Sequence, residues 1–548
     1  MTYRTSVQRT GRLQFLFLSA SVALLIGPPQ CLYAGATVFN VKDYGATGKK
    51  TDDATAAIQK AIDACAAAGG GTVYLPPGDY TSAMLHLRSR LRFEIEAGAT
   101  LFVSQDPKVW DRPGMKALFF GKDIENVSLV GRGTVDGQAQ FEWKAGELET
   151  VGDHNQRMLA LGPLPKRPFS KGFPNPPVTP FLVWIGGSKD IEIRGLKFIN
   201  ASVWTFDLFD CERIVLDGLY VRTSLKAGAY CDGIDLDSCR DASISNCTIE
   251  TGDDCIALSS GSGSEAKPCE NITVTNCRLA SSSAGVKFSE YNRAGIRRVV
   301  VSNTVFSDVN RGIAIFNAAG GDVSDVVFSN LTINCRRKEW YWAGDGQPFH
   351  FVIFPANYLG QPSTDGKPLP VSTIRNVVVH NVIARGMGSS ELYGLPESRL
   401  EGLTFDNVRL FVSADPKAPF DKAEHAMQVR WAKNLKVKDM EVVWEKPALD
   451  AWKSALALEN VDGAVIDAFD GRAAWPEREL PTLLLNNVAN ATIRNSRALD
   501  GTKVFLKVVG QGSRNILLQG NDLRRATTPY QLDGGAAEGI VEAYHNVP

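Results

Sequence analysis

Two short acidic segments hold the residues best suited to chemistry: YCDGIDLDSC at 230–239 and TGDDCIALSSG at 251–261. Asp232 and Asp253 stand 21 residues apart, and Asp254 follows directly. If the chain completes one coil in about that length, the two aspartates fall on neighbouring rungs about 4.8 Å apart. Three carboxyls on one patch suit the cleavage of a glycosidic bond. One stays protonated and donates to the leaving oxygen, while the others activate water or attack the sugar. Crowding of like charges raises one of the pKa values and keeps that acid protonated near neutrality. Two plainer uses fit the same residues: aspartates shape the corners of a repeating fold, and a carboxylate cluster can bind Ca²⁺. The residue types alone leave all three open.

The elements that would position these carboxyls form a repeat. Short segments alternate apolar and polar residues with period two, break at Asn, Gly or Asp, and resume with an apolar residue. The breaks fall at Gly195, Gly218, Asn246, Asn276, Asn303, Asn330, Asn381, Asn407, Asp439, Asn495 and Gly520, with a degenerate copy near Asp467. Most steps are 23–32 residues, and the 51-residue gap from 330 to 381 reads as two turns or as one turn carrying an insertion. Asn and Gly tolerate the left-handed backbone of a sharp corner between strands. A 20–30-residue period of short strands predicts a solenoid, and the absence of a 3.6-residue period excludes a helical one. The expected fold is an all-β, single-stranded right-handed parallel β-helix of ten to twelve coils over residues 91–548, preceded by a cap and first coils over 37–90.

The one clear helix is predicted over 55–68, with Ala57, Ile58, Ala61, Ile62 and Cys65 on one face. Asp52 or Asp53 would cap its start, and Gly69-Gly70-Gly71 would end it. Such a helix suits the open end of a solenoid, which must be shielded from edge pairing. Two segments, 138–180 and 336–372, break the rhythm and read as insertions on one face, where binding sites gather.

Composition sets the outer limits. The 548 residues carry a formal net charge of −1, which excludes a globally basic nucleic-acid binder. Residues 1–36 read as a signal peptide: Arg4, Arg9 and Arg12, an apolar run from Phe15 to Gly27, then Ala34-Gly35-Ala36. That run is shorter than the ~20 residues of a membrane span. Without the leader, 56 basic residues face 60 acidic ones. Nine cysteines remain, six of them between 231 and 277, with no CxxC pair of the kind zinc sites use. They are expected to be mostly buried thiols with one bridge at most.

CDGIDLDSC followed by GDDCIALSSG resembles the active-site signature of glycoside hydrolase family 28, the polygalacturonase and rhamnogalacturonan hydrolase family. The segments FNVKDYGATGKKTDDATAAIQKAIDAC, GRGTVDGQ and INASVWTFDLFDC are similar to it as well, and the resemblance covers roughly 38–335. It implies a right-handed β-helix and hydrolysis with inversion. Asp253 would be the general acid, and Asp232 with Asp254 would hold and activate the water. Inversion asks for carboxyl separations of about 6.5–9.5 Å, more than one rung, so side-chain directions would have to supply the difference.

The chain departs from the family pattern where a Gly-His-Gly motif and an Arg-Ile-Lys motif are usual. Here Ala284 takes the histidine position, and Ala314-Ile315-Phe316 stands for the second motif. Lys287 and Arg311 lie close by and are expected to bind an acidic sugar in place of the missing groups. Trp340 and Trp342 would stack on a sugar ring. His154 and His350 are given structural or solvated roles.

The resulting expectation is a hydrolase of galacturonic-acid-containing pectic polysaccharide or oligosaccharide, without a cofactor or metal. Nucleic acid and a membrane span after signal cleavage are excluded as partners, and a periplasmic or secreted monomer is anticipated. A β-helix lyase, an exo-acting or rhamnogalacturonan-type hydrolase, and a non-catalytic glycan-binding solenoid are the alternatives.

Overall fold

A computed structural model describes residues 37–139, 148–149, 167–168, 178–226, 228–261, 266–338, 341, 344–355, 369–414, 424–446 and 449–548. The proposed signal peptide, Trp340, Trp342, His154 and most of the 138–180 insertion therefore lie outside the described residues.

The chain winds into a right-handed parallel β-helix. From Leu91–Ile95 to Val541–Tyr544, fifteen strands stack in register in one continuous column, each paired in parallel with the next. This exceeds the ten to twelve coils counted from the sequence. The extra rungs, at Leu91–Ile95, Glu125–Gly131 and Val541–Tyr544, lie outside the run of corner markers.

The corner markers have the backbone expected of them. Gly195, Gly218, Asn246, Asn276, Asn303, Asn330, Asn381, Asn407, Asp439, Asn495 and Gly520 all have φ between 45° and 74°. The degenerate copy places Ala468 there, with φ 54°. The asparagine side chains also join rung to rung. Asn330 Nδ2 donates to Asn303 Oδ1 at 3.1 Å, Asn381 to Asn330 at 2.7 Å, and Asn407 to Asn381 at 3.1 Å. Strand Asp322–Cys335 pairs directly with Thr373–Gly386, so the 51-residue gap is one turn with an insertion.

Inside the coils, alternate residues such as Ile234, Leu236, Ile256 and Leu258 fill one long apolar core. All nine described cysteines are buried and free, as the reading of mostly buried thiols expects, and none forms the one bridge it allowed. The thiols from Cys211 to Cys335 donate to neighbouring carbonyls. Cys239 Sγ lies 3.1 Å from Leu208 O, and Cys255 Sγ lies 3.1 Å from Ala280 O.

Helix Thr55–Ala67 lies against the first strands and buries Ala57, Ile58, Ala61, Ile62 and Cys65, the predicted face. Neither candidate is the cap itself: the N-cap position is Ala54, with Asp53 one residue earlier accepting the Thr55 N–H at 2.9 Å and Asp52 bonding the hydroxyls of Thr47 and Thr51. Among the described residues, no helix is long and apolar enough to cross a membrane.

Candidate active site

Strands Ile234–Asp237 and Ile256–Ser260 pair residue for residue, Ile234 with Ile256 and Asp237 with Ser259. Counting back two residues sets Asp232 level with Asp254 on adjacent rungs. The backbone bonds agree: Gly233 N–H donates to Asp254 O at 2.9 Å, and Cys255 N–H donates to Ala284 O at 2.9 Å. Ala284 in turn pairs with Arg311. Asp232, Asp254, Ala284 and Arg311 thus form one row across four rungs. The glycines beside the aspartates permit this closeness. A Cβ on Gly252 would lie 2.1 Å from the Gly228 carbonyl oxygen, and one on Gly233 would lie 2.4 Å from that of Cys255.

Asp232, Asp253 and Asp254 are all buried, at 6%, 8% and 2% exposure. One oxygen from each lies within 4.8 Å of the others, the only such trio of ligand groups among the described residues. The three carboxyls therefore converge. Their nearest oxygens are closer than the separation of about 6.5–9.5 Å typical of inverting pairs. Direct stacking on adjacent rungs accounts for this, since it leaves little room for the side chains to splay.

The three carboxyls have different surroundings, and this separates their chemistry. Asp254 is fully engaged: Oδ1 accepts the Ala284 N–H at 2.9 Å, and Oδ2 lies 3.2 Å from Lys287 Nζ. Asp253 Oδ1 accepts the Tyr341 hydroxyl at 2.5 Å, and Ser283 also bonds to it. Burial, with the Asp254 charge next, pushes the Asp253 carboxyl up to about 7. Asp232 is pushed well up by burial and then by Asp253, and its Oδ1 has no hydrogen-bond partner. An acid that titrates near neutral pH thus sits beside a carboxylate fixed by an ammonium, an arrangement suited to acid–base cleavage.

Lys287 and Arg311 are both brought to this patch. Lys287 lies between Asp254 and Glu290, the latter at 3.4 Å. Arg311 is 4% exposed, with its guanidinium carbon 5.3 Å from the centre of the Phe316 ring. Neither is an ordinary solvated charge. Ala284, at the usual histidine position, contributes its backbone N–H to Asp254. Ala314 and Phe316 join Ala284, Ala318, Val352, Phe354 and Tyr393 in a small apolar cluster, separate from the main core. His350 is fully buried with Nε2 3.3 Å from Glu391, in line with its expected structural role.

Tyr341, Asp235 and Glu290 were not found by sequence reasoning. Tyr341 lies between two tryptophans that drew attention for their rings, and its partner Asp253 is 88 residues away in sequence. Asp235 had a local signal: it follows Asp232 in the same motif, at an outward position of a strand whose Ile234 and Leu236 face inward. Its Oδ2 is buried without a hydrogen-bond partner.

Buried, converging carboxyls on the outer face of a parallel β-helix are an arrangement able to cleave a glycosidic bond. The profile of the glycosyl hydrolases family 28 matches residues 171–422, and that of rhamnogalacturonase A/epimerase, pectate lyase-like proteins matches residues 38–90. Just under half of the chain is thus similar to glycosyl hydrolases family 28, and the chain is a glycosidase. It is 26% identical over 313 residues to the exopolygalacturonase of Platanus acerifolia, covering 55% of this chain and 73% of that protein. It is 24% identical over 436 residues to the exo-poly-alpha-D-galacturonosidase of Dickeya chrysanthemi, covering 68% and 71%. Among solved structures, the family 28 exopolygalacturonase of Yersinia enterocolitica superposes with a TM-score of 0.60 at 18% identity, over 79% of each chain. The exopolygalacturonase of Thermotoga maritima gives 0.56 at 20% identity, over 76% of this chain and 93% of that one. These two likenesses concern the fold.

Proposed function

We propose that this protein hydrolyses α-linked galacturonic-acid-containing pectic chains by acid–base catalysis with inversion, as an exported monomer that needs no cofactor. The carrying observation is the buried trio itself: Asp253 bonded to Tyr341, beside Asp254 held by Lys287. In this reading Asp253 donates its proton to the leaving glycosidic oxygen, while Asp232 and Asp254 hold the attacking water. Both Asp254 oxygens already carry bonds, which suits a residue that orients water better than one that attacks the sugar. Lys287 and Arg311 supply the positive charge that a galacturonate carboxylate needs. The polygalacturonases among the relatives support the substrate class. Export rests on the leader pattern of residues 1–36.

The test is a screen of defined pectic oligosaccharides, with products read by mass, ultraviolet absorbance and proton NMR of the new anomeric centre. Release of saturated products with inverted configuration supports the reading. A retained configuration would match the short carboxyl spacing and move one aspartate to the role of nucleophile. The same close trio could instead hold a cation. Unsaturated products whose formation a chelator abolishes would then identify a lyase. No product from any pectic substrate would leave a glycan-binding solenoid.

A further inference from the structure

Asp253 and Asp254 lie in the break between strands Thr248–Thr251 and Ile256–Ser260, and much of what holds them comes from the next rung. Thr251 pairs there with Ser281. Past Ser281 the register slips: the chain takes three steps from Ser281 to Ala284, where the following rung takes two from Val309 to Arg311. The extra residue is a β-bulge, a device that re-aims the side chains beside it. Here it brings residues 281–284 onto the two aspartates at successive points. The Ser281 hydroxyl donates to the Asp253 carbonyl oxygen, Ser283 bonds the Asp253 carboxyl, and the Ala284 N–H donates to Asp254 Oδ1 at 2.9 Å. The Ser283 N–H in turn donates to Ser281 Oγ at 2.8 Å. From its own rung, Thr251 Oγ1 donates to the same Asp253 carbonyl oxygen at 2.8 Å.

These bonds form a closed circuit. A carbonyl oxygen has two lone pairs, and at Asp253 both are met by hydroxyls, one from each of two adjacent rungs. Ser281 Oγ receives the Ser283 N–H, so its single proton is left for Asp253. One hydroxyl therefore grips the peptide of the acid and fixes the residue that bonds its carboxyl. The convergence is not a general habit of hydroxyls inside the coils. Among the described residues, those of Ser324, Ser454 and Thr482 are buried with no hydrogen-bond partner at all. Thr251 and Ser281 are 0% exposed, so neither touches a sugar, and any effect on the reaction passes through Asp253.

We infer that Thr251 and Ser281 are positioning residues, a buried hydroxyl pair that holds the Asp253 peptide so that its carboxyl faces the glycosidic oxygen. Small errors in the placement of an acid are costly to the chemical step, which is what a double grip on one peptide guards against. The inference rests on the hydrolase reading above, with Asp253 as the acid.

The experiment measures kcat and KM separately on galacturonate oligomers for three variants. Thr251→Val keeps the shape and loses the donor, whereas Thr251→Ser keeps the donor and loses a methyl group. Thr251→Val and Ser281→Ala should each lower kcat about 10- to 100-fold, the scale of a misplaced catalytic group. KM should change by less than about twofold, because substrate contacts are untouched. Thr251→Ser should keep the wild-type kcat even where it melts lower. A role in packing alone predicts the opposite order, with Thr251→Ser the more impaired. Wild-type kcat in Thr251→Val and Ser281→Ala, or Thr251→Ser as slow as Thr251→Val, overturns the inference and leaves the hydrolase reading standing. No cleavage of any galacturonate oligomer by wild type, or cleavage that survives Asp253→Asn, removes both. Thermal unfolding shows which variants keep the fold, and Ser281→Ala, which deletes only an oxygen, carries the test through its kcat-against-KM split if Thr251→Val fails to fold.

Discussion

With Asp253 as the proposed general acid, its surroundings make four outcomes calculable in sign. Asp253→Asn removes a general acid, so kcat should fall by about 10²–10⁴-fold with the fold intact. Stability should move the other way. The carboxyl titrates near 7 in the folded protein against 3.8 for the free group. Its contribution is therefore fully present below about pH 4 and lost as pH rises through 7. Asp253→Asn should accordingly melt higher than wild type at pH 8 and alike at pH 4, a comparison that thermal scans at two pH values decide. Activity itself should decline as pH rises through about 7, where the acid loses its proton. The Tyr341 hydroxyl bonds to the Asp253 carboxyl and favours its charged form. Tyr341→Phe should shift the alkaline limb of the kcat/KM profile to higher pH, a displacement that loss of packing alone would not produce.

At the scale of the element, the corner decides what the sequence reveals. Few residues accept a left-handed backbone cheaply, so Asn, Gly and Asp recur there and the coil period can be read directly. The same rule explains the weakest marker. Ala468 has φ 54° with no side-chain bond to offset it, and a non-glycine residue in that region costs roughly 1–2 kcal/mol. Ala468→Asn should raise stability by up to about 1 kcal/mol, measured by denaturant unfolding. Asn303→Ala should do the reverse, because it keeps φ 50° while losing the bond from Asn330. The helix was equally legible, since a single apolar face over thirteen residues has no strand equivalent. The outermost rungs were not, because their corners depart from the pattern: Gly131 has φ 129°, outside the 45–74° of the marker corners, and the last rung turns at His545 with φ 53°.

For the whole molecule, the carboxyl trio was legible because a parallel coil converts a sequence spacing of one turn into contact. What stayed hidden was contact between parts that no single turn relates. Tyr341 reaches Asp253 across 88 residues. The cysteines were ambiguous because a repeat of eight residues fits a bridge as well as a wall of the core. The structure assigns them inward, where sulfurs such as those of Cys239 and Cys255 find a carbonyl. Thiol-specific labels should accordingly react only after unfolding, and a reductant should leave the melting temperature unchanged, both read on the intact chain.

The turn between Asn330 and Asn381 runs 51 residues where its neighbours run 26 or 27, yet Asn381 still donates to Asn330 at 2.7 Å and Asn407 to Asn381 at 3.1 Å. Perimeter and pitch are therefore independent variables of this coil. A turn can acquire a long excursion, and with it a new wall for the cleft, while the rail of stacked corners advances by the same increment. Selectivity can thus be rebuilt one turn at a time, without renegotiating the axis on which the three buried carboxyls are mounted.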